Sequence, residues 1–252
     1  MQPQNKMNKL AIIGGTGLSN MNNLEIVKTE NIETPYGHPS APLSHGLIDD
    51  KPLIFLPRHG DKHTLPPHKI NYRANIWALK NVGVTHVLAV AAVGGIPAHF
   101  VPQTLIVPDQ IIDYTHSRID TFFEAGLSEV THIEFTYPYC EELRQHIIFC
   151  CDKLNFDVEK TGTYAATQGP RLESAAEINR LERDGCHLVG MTGMPEAALA
   201  RELGLCYGTL AIVANLAAGR SEEELTMEII QGHLKQGMVK TQNVIQELIK
   251  MI

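Results

Sequence analysis

The chain predicts an α/β fold, and three observations carry that prediction. Short apolar runs alternate along its length with stretches whose apolar residues recur at helical spacing. Three of the apolar runs end in small or polar residues, as strands do where a sheet meets a ligand. A late run, Cys206 to Ala214, is continuous and built of small and branched residues, as in a central strand covered on both faces.

The elements follow in chain order. Lys9-Leu10-Ala11-Ile12-Ile13 reads as a strand running into Gly14-Gly15-Thr16-Gly17-Leu18-Ser19. Leu47-Ile48, Asp49-Asp50-Lys51 and Leu53 to Leu56 read as a hairpin whose second arm runs into Pro57-Arg58-His59-Gly60. Tyr72, Ile76, Leu79 and Lys80 keep helical spacing, and Asn81-Val82-Gly83 closes that helix. His86-Val87-Leu88-Ala89-Val90 is a strand running into Ala91-Ala92-Val93-Gly94-Gly95. Asp113 to Tyr137 is a long polar and aromatic loop, a length usually reserved for function or interfaces. Pro138 to Leu154 reads as a helix with a stripe through Leu143, Ile147 and Phe149 or Cys150. Thr161 to Thr167 and His187 to Met191 are strands; Glu173 to Arg183 is a helix stopped by Gly185. Pro195 opens a helix running to Leu203 with Gly204 as its cap, and Glu222 to the end is mostly one helix.

With 252 residues, 44% hydrophobic and 19% charged, the chain has ordinary globular composition and enough length for a sizeable core. We expect residues 1–7 to be a short lead and 8–252 one domain. A formal charge of −7 argues against a nucleic-acid polyanion as main partner, although a local pocket can still hold a small anion. The five cysteines are odd in number and form no C-x-x-C, which reads as reduced thiols filling the core in a cytoplasmic protein. The first residues carry no apolar signal segment, and no apolar run approaches spanning length, so no membrane partner is expected.

The three strand ends converge on one chemistry. Glycines let backbone N–H groups approach a phosphate, Thr16 adds a hydroxyl, and Arg58 can fork onto two oxygens. A dinucleotide fingerprint is incomplete, because position 20 is Asn where a third glycine belongs. His59, His63 and His68 share a proline-rich loop but match no zinc spacing; solvated or substrate-touching histidines are favoured over ligands. Gln168-Gly169-Pro170-Arg171-Leu172-Glu173 and Met191-Thr192-Gly193-Met194-Pro195-Glu196 each join a strand to a helix, where N-terminal N–H groups attract anions. Arg171 is open to a local salt bridge, and Glu196 to an ordinary first-turn role. Asn215 is either a turn residue or an amide presented to a heterocycle edge.

Together, Gly14-Gly15-Thr16-Gly17, Arg58-His59-Gly60, the run from Asn71 to Leu79, Gly169-Pro170-Arg171 and Met191 to Glu196 resemble the trimeric purine nucleoside phosphorylase and methylthioadenosine phosphorylase family. The resemblance covers nearly the whole chain in order. It implies a single α/β domain with a twisted mixed sheet flanked by helices, of the phosphorylase/hydrolase-like type, in a homotrimer. It also implies reversible phosphorolysis of a purine nucleoside, with inorganic phosphate as co-substrate and no cofactor or metal. Carried over by position, Thr16, Arg58, His59, the backbone at Ala92 and Thr192 form the phosphate shell. Met191 lies beneath the ribose, His63 lies near it, and His132 reaches a neighbouring subunit's 5′ pocket. One departure is Val90-Ala91-Ala92, where methylthioadenosine phosphorylases tend to carry a Thr before the Ala.

The base site separates substrates. Adenine-specific members of that family read the base with Asp-x-Asp, and the corresponding positions here are Asn215 and Ala217. Members acting on 6-oxopurines carry Asn at the first position and a Glu after Gly-Pro-x-(Phe or Leu); this chain has Asn215, and Glu173 after Leu172. An ionised Glu173 only accepts, so it suits the N1–H of hypoxanthine and opposes adenine N1. Asn215 relieves charge at purine N7, which makes it, with Thr192, the expected catalytic pair. Met227 falls where the family contacts the 5′ group, and an apolar Met suits a methylthio group over a hydroxyl; its bland reading is core. The expected reaction is phosphate-dependent cleavage of S-methyl-5′-thioinosine in purine salvage. Activity on inosine and guanosine, activity on methylthioadenosine, and a non-catalytic nucleotide-binding module remain as alternatives. The presence of Thr16, Arg58, His59 and Thr192 argues against the last.

Overall fold

Strands that are apolar on both sides need cover on both sides, and the molecule is built around them. The computed structural model describes residues 9–15, 18, 24–221 and 227–252, with the Met227 side chain outside that set. β1 (Leu10–Gly14) sends Ala11 and Ile13 into one core and Leu10 and Ile12 into another on the opposite face. β5 (His86–Gly95) does the same with Val87, Ala89, Ala91 and Val93 against Leu88 and Val90. The next residue on the second face, Ala92, is exposed in an otherwise buried strand. The strand is open at that one position, between Val90 and Gly94 on the same face, which are both buried.

α1 (Tyr72–Asn81) and α4 (Gly193–Glu202) cover the first face, through Ile76 and Leu79 and through Ala197 and Leu199. α2 (Glu141–Lys153) and α5 (Met227–Leu248) cover the second with Leu143, Ile147, Val244 and Leu248. α3 (Ala175–Arg183) closes a smaller cluster with Ile178 and Leu181.

β4 (Lys51–Pro57) and β5 flank β1 in parallel, whereas β2 (Glu25–Glu30), β3 (Leu43–Ile48) and β4 are antiparallel, so the sheet is mixed. Beyond β5 come β10 (Leu188–Gly190), β9 (Thr163–Ala166) and β7 (Gln110–Asp113), in the order β2-β3-β4-β1-β5-β10-β9-β7. β11 (Cys206–Leu216) lies along β5 and also pairs β6 (Leu105–Ile106), which pairs β8 (Val158–Glu159). β10 approaches β5 at Gly94 and Gly95, and a Cβ on Gly95 would stand 2.2 Å from the Phe100 carbonyl. Only glycine lets the chain at Phe100 lie that close to β5.

Several expectations shift for physical reasons. The β3–β4 arm reaches back to Leu43 around an Asp49-Asp50 turn with both φ positive, the twist a two-residue hairpin needs. α3 starts after Glu173, because Ser174 accepts from Glu177 N and forms a capping box. Glu173 is thereby left in the preceding loop. On α2 Cys150 is buried and Phe149 is 56% exposed. β2, β6, β7 and β8 were not anticipated: β2 is mostly exposed, and the others are short.

The cysteine expectation needs correction. Cys150, Cys151 and Cys186 are buried free thiols, but Cys140 and Cys206 form a disulfide across 66 residues. Cys140 caps α2, Cys206 opens β11, and Cys140 N donates to Tyr207 O at 2.8 Å. That backbone bond brings the two Cα atoms within 5.1 Å, a spacing the count and local pattern of cysteines could not disclose. Among the described residues no helix is long and apolar enough to cross a membrane.

Candidate active site

The carboxyl ends of β1 and β4 and the middle of β5 meet at Arg58. Its backbone N donates to Gly14 O at 2.9 Å, Nη1 to Val90 O at 2.9 Å and Nη2 to Ile13 O at 3.3 Å. The guanidinium is buried, and its fork is taken by Glu196 of α4: Nε to Oε2 at 2.7 Å and Nη2 to Oε1 at 2.8 Å. Tyr207 of β11 donates to the same Oε1 at 2.9 Å. Burial works against the Arg58 charge, but the Glu196 carboxylate outweighs it and holds the guanidinium above its ordinary pKa. Four of the five N–H donors are thus held by protein, and among the described residues one Nη1 hydrogen has no partner. The fork does not face an open anion site as the sequence suggested. Glu196, ambiguous as a first-turn carboxylate, is the fully buried counter-ion that fixes Arg58.

The other expected anion contacts gather nearby. Ala92 is exposed on β5, two residues beyond the Val90 carbonyl that Arg58 holds. Thr192, 8% exposed, is the N-cap of α4, and its hydroxyl makes no capping hydrogen bond. Thr16 lies outside the described residues. His59 Nδ1 is 2.8 Å from Leu65 O, a pure acceptor, so the neutral ring carries its proton on Nδ1 and turns a lone pair outward at Nε2. Burial, helped by the nearby Arg58 charge, pushes His59 down to about 4.

This depression makes acid stability testable. An unfolded histidine titrates near 6.5, so between about pH 6.5 and pH 4 the unfolded chain binds a proton that folded His59 refuses. Stability falls as pH falls through that window and is fully present above it. His45 and His86, also lowered chiefly by burial, add to the same slope. We expect His59→Gln to flatten part of the decline in urea midpoint from pH 7 to 4.5. An unchanged slope would remove His59 from the account.

The remaining candidates sit toward β9, β10 and the end of β11. Thr167, just past β9, donates from N to Gly190 O at 2.8 Å and from Oγ1 to Glu173 Oε1 at 2.6 Å. Among the described residues Glu173 Oε2 has no hydrogen-bond donor. Met191 follows β10 and packs on Gly169, where a Cβ would stand 2.5 Å from its sulfur. Asn215 follows a bulge in the β11–β5 pairing; its Nδ2 donates to Leu216 O at 2.8 Å, which among the described residues leaves the second Nδ2 hydrogen as a donor and Oδ1 as an acceptor. Ala217 is buried, its N bonded to Gly95 O. Arg171 closes a local ion pair with Glu177, at 2.7 Å and 2.8 Å, and takes no part in the site.

Three candidates lie toward the outside. The exposed His63 has φ 52° and a ring centroid 4.8 Å from that of His59. Leu172 is 49% exposed. His132 is exposed on the loop 114–137, and among the described residues no hydrogen bond, ion pair or ring contact joins it to the others. Met227 opens α5, but its side chain lies outside the described set. Sequence reasoning missed Tyr207, Thr167 and Arg118. The available hint was that Thr167 ends a strand just before Gly169-Pro170; Arg118 carried none.

A mixed sheet thus holds a buried arginine at the ends of β1 and β4, and a carboxylate and an amide near the ends of β9 and β11. The family model described as the phosphorylase superfamily matches residues 9–250. The chain belongs to that superfamily, as a nucleoside phosphorylase-type pentosyltransferase. It is 54% identical to a probable S-methyl-5′-thioinosine phosphorylase of Xanthomonas campestris pv. campestris, over 86% of this chain and 88% of that one. A probable 6-oxopurine nucleoside phosphorylase of Moorella thermoacetica is 47% identical over 87% of this chain and 84% of its own. Methylthioadenosine phosphorylase from Schistosoma mansoni, solved with adenine, superposes with a TM-score of 0.92 at 32% identity, over 97% of this chain and 91% of that chain.

Proposed function

We propose that the protein cleaves S-methyl-5′-thioinosine with inorganic phosphate, giving hypoxanthine and 5-methylthioribose-1-phosphate. The carrying observation is Glu173: Thr167 occupies Oε1 and leaves Oε2 as an acceptor for a purine N1–H. Asn215 and Ala217, where adenine readers of the family carry aspartates, support the same base. So does the similarity to relatives named for S-methyl-5′-thioinosine.

In this reading phosphate sits among Thr16, the free Nη1 hydrogen of Arg58, His59, the Ala92 backbone and Thr192. It presents one oxygen beneath the anomeric carbon, over Met191. The glycosidic bond loosens first, and the phosphate dianion stabilises and then captures the oxocarbenium-like sugar. Asn215 relieves the charge that gathers at purine N7. Positioning and preorganised charge supply most of the acceleration. Phosphate is a co-substrate and no cofactor is needed. The enzyme works in the cytoplasm as a homotrimer in which His132, exposed within one chain, completes a neighbour's 5′ pocket beside Met227 and His63.

A second reading, a 6-oxopurine nucleoside phosphorylase acting on inosine and guanosine, shares Glu173 and Asn215 and is favoured by the similarity to the Moorella relative. The 5′ group separates the two. A thioether methyl buried against Met227 gains about 1 kcal/mol, and a hydroxyl buried there without a partner loses about 1–3 kcal/mol. We therefore expect kcat/KM for methylthioinosine to exceed that for inosine by about 30-fold or more. Met227→His should narrow the gap. Equal turnover of the two nucleosides by the wild type would select the second reading.

A further inference from the structure

We propose that Arg118 is a positioning residue for base recognition, holding in register the two segments that carry Glu173 and Met191; the inference rests on the reading of Glu173 above. Arg118 comes from the irregular loop 114–137 and is half-buried. Its Nε donates to Gln168 Oε1 at 3.1 Å. Nη2 donates to Thr167 O at 3.2 Å and Gln168 O at 2.8 Å. The two Nη1 hydrogens are shared among Met194 O at 2.6 Å, Met191 O at 2.9 Å and, more weakly, Tyr72 Oη at 3.2 Å. One guanidinium thus caps carbonyls of both strand-to-helix connections, with the Tyr72 ring 5.5 Å from its carbon.

The consequence runs through Thr167. Its carbonyl is held by Arg118, its N–H by Gly190 O, and its hydroxyl aims Glu173 Oε1 at 2.6 Å. Arg118 touches neither the carboxylate nor the space in front of it, but it sets where Thr167 stands relative to β10. Without it, four carbonyls lose a charged donor and the 167–173 segment is free to move against Met191. A carboxylate that wanders still tolerates a purine; what it loses is the penalty against a base lacking N1–H. Lysine, with three donors on a point charge, cannot span the same set of acceptors.

The test compares kcat and KM for methylthioinosine, methylthioadenosine and phosphate in wild type, R118A, R118K, T167V and R118A/T167V. We expect R118A to lower the ratio of kcat/KM between the 6-oxopurine and 6-aminopurine nucleosides by about tenfold, the factor that ~1.4 kcal/mol of discrimination represents. Nucleoside KM should rise more than phosphate KM. T167V should lower the same ratio, the double variant should lower it no further than R118A alone, and R118K and millimolar guanidinium added to R118A should each restore part of it. An R118A enzyme with the wild-type ratio overturns the proposal, even if kcat falls, as does an equal rise in both KM values. If R118A does not fold, wild-type ratios in both R118K and T167V overturn it. A wild type that does not prefer the 6-oxopurine contradicts the functional reading instead; Arg118 is then judged on whether the variants change whichever preference exists.

Discussion

Glu196→Ala is expected to destabilise the folded chain by about 3–5 kcal/mol, because it leaves a buried guanidinium without its counter-ion. Arg58 is 2% exposed, and its remaining bonds go to the carbonyls of Val90 and Ile13, which carry no formal charge. Tyr207 loses its acceptor in the same substitution. Tyr207→Phe should cost only about 0.5–1.5 kcal/mol, since Glu196 keeps both bonds from Arg58. Urea unfolding of the two variants beside wild type measures both. A loss below about 1 kcal/mol for Glu196→Ala would mean that the buried arginine finds another partner and that the pair does not organise the strand ends. The pair also bears on phosphate. Glu196 offsets the Arg58 charge and takes the fork, so in the proposed site one Nη1 hydrogen, not two parallel donors, is left for the anion.

The second large effect concerns the base. Wild type should favour methylthioinosine over methylthioadenosine by about tenfold or more, since each 1.4 kcal/mol of hydrogen-bond mismatch is a factor of ten. Asn215→Asp with Ala217→Asp should move the preference toward 6-aminopurines, and further when Glu173→Gln is added. Ala217 is buried with its N–H tied to Gly95 O, so the new carboxylate enters a fixed backbone position at the end of β11. Comparing kcat/KM for the two nucleosides across these variants reads the shift directly. A wild type that prefers methylthioadenosine would show that Glu173 and Asn215 have been misread.

The parts of the fold legible in the sequence are those set by local pattern. β1 and β4 are apolar runs that stop at Gly and Pro, so their ends could be read in advance, whereas β5 continues five residues past Val90 through small residues that pair with β11 and β10. The parts that were not legible depend on partners far along the chain. Arg58 was found, but Glu196 lies 138 residues away, and nothing local separates a buried counter-ion from an ordinary helix-start carboxylate. The Cys140–Cys206 bond depends on how α2 packs beside β11. Arg118 sits in a loop without periodicity, and its role exists only because two connections converge on it. His132 is the reverse case: the family resemblance assigned it a role that a single chain cannot display, because its proposed partner belongs to another subunit.

The central claim is that phosphate, not water, receives the sugar. The most direct measurement incubates the enzyme with methylthioinosine in phosphate-free buffer and in phosphate, and follows hypoxanthine release together with the phosphorus signal of the products. Hypoxanthine is expected only when phosphate or arsenate is present, with one equivalent of 5-methylthioribose-1-phosphate formed per base in the phosphate reaction. Equal base release without phosphate, yielding free methylthioribose, would instead make the protein a hydrolase.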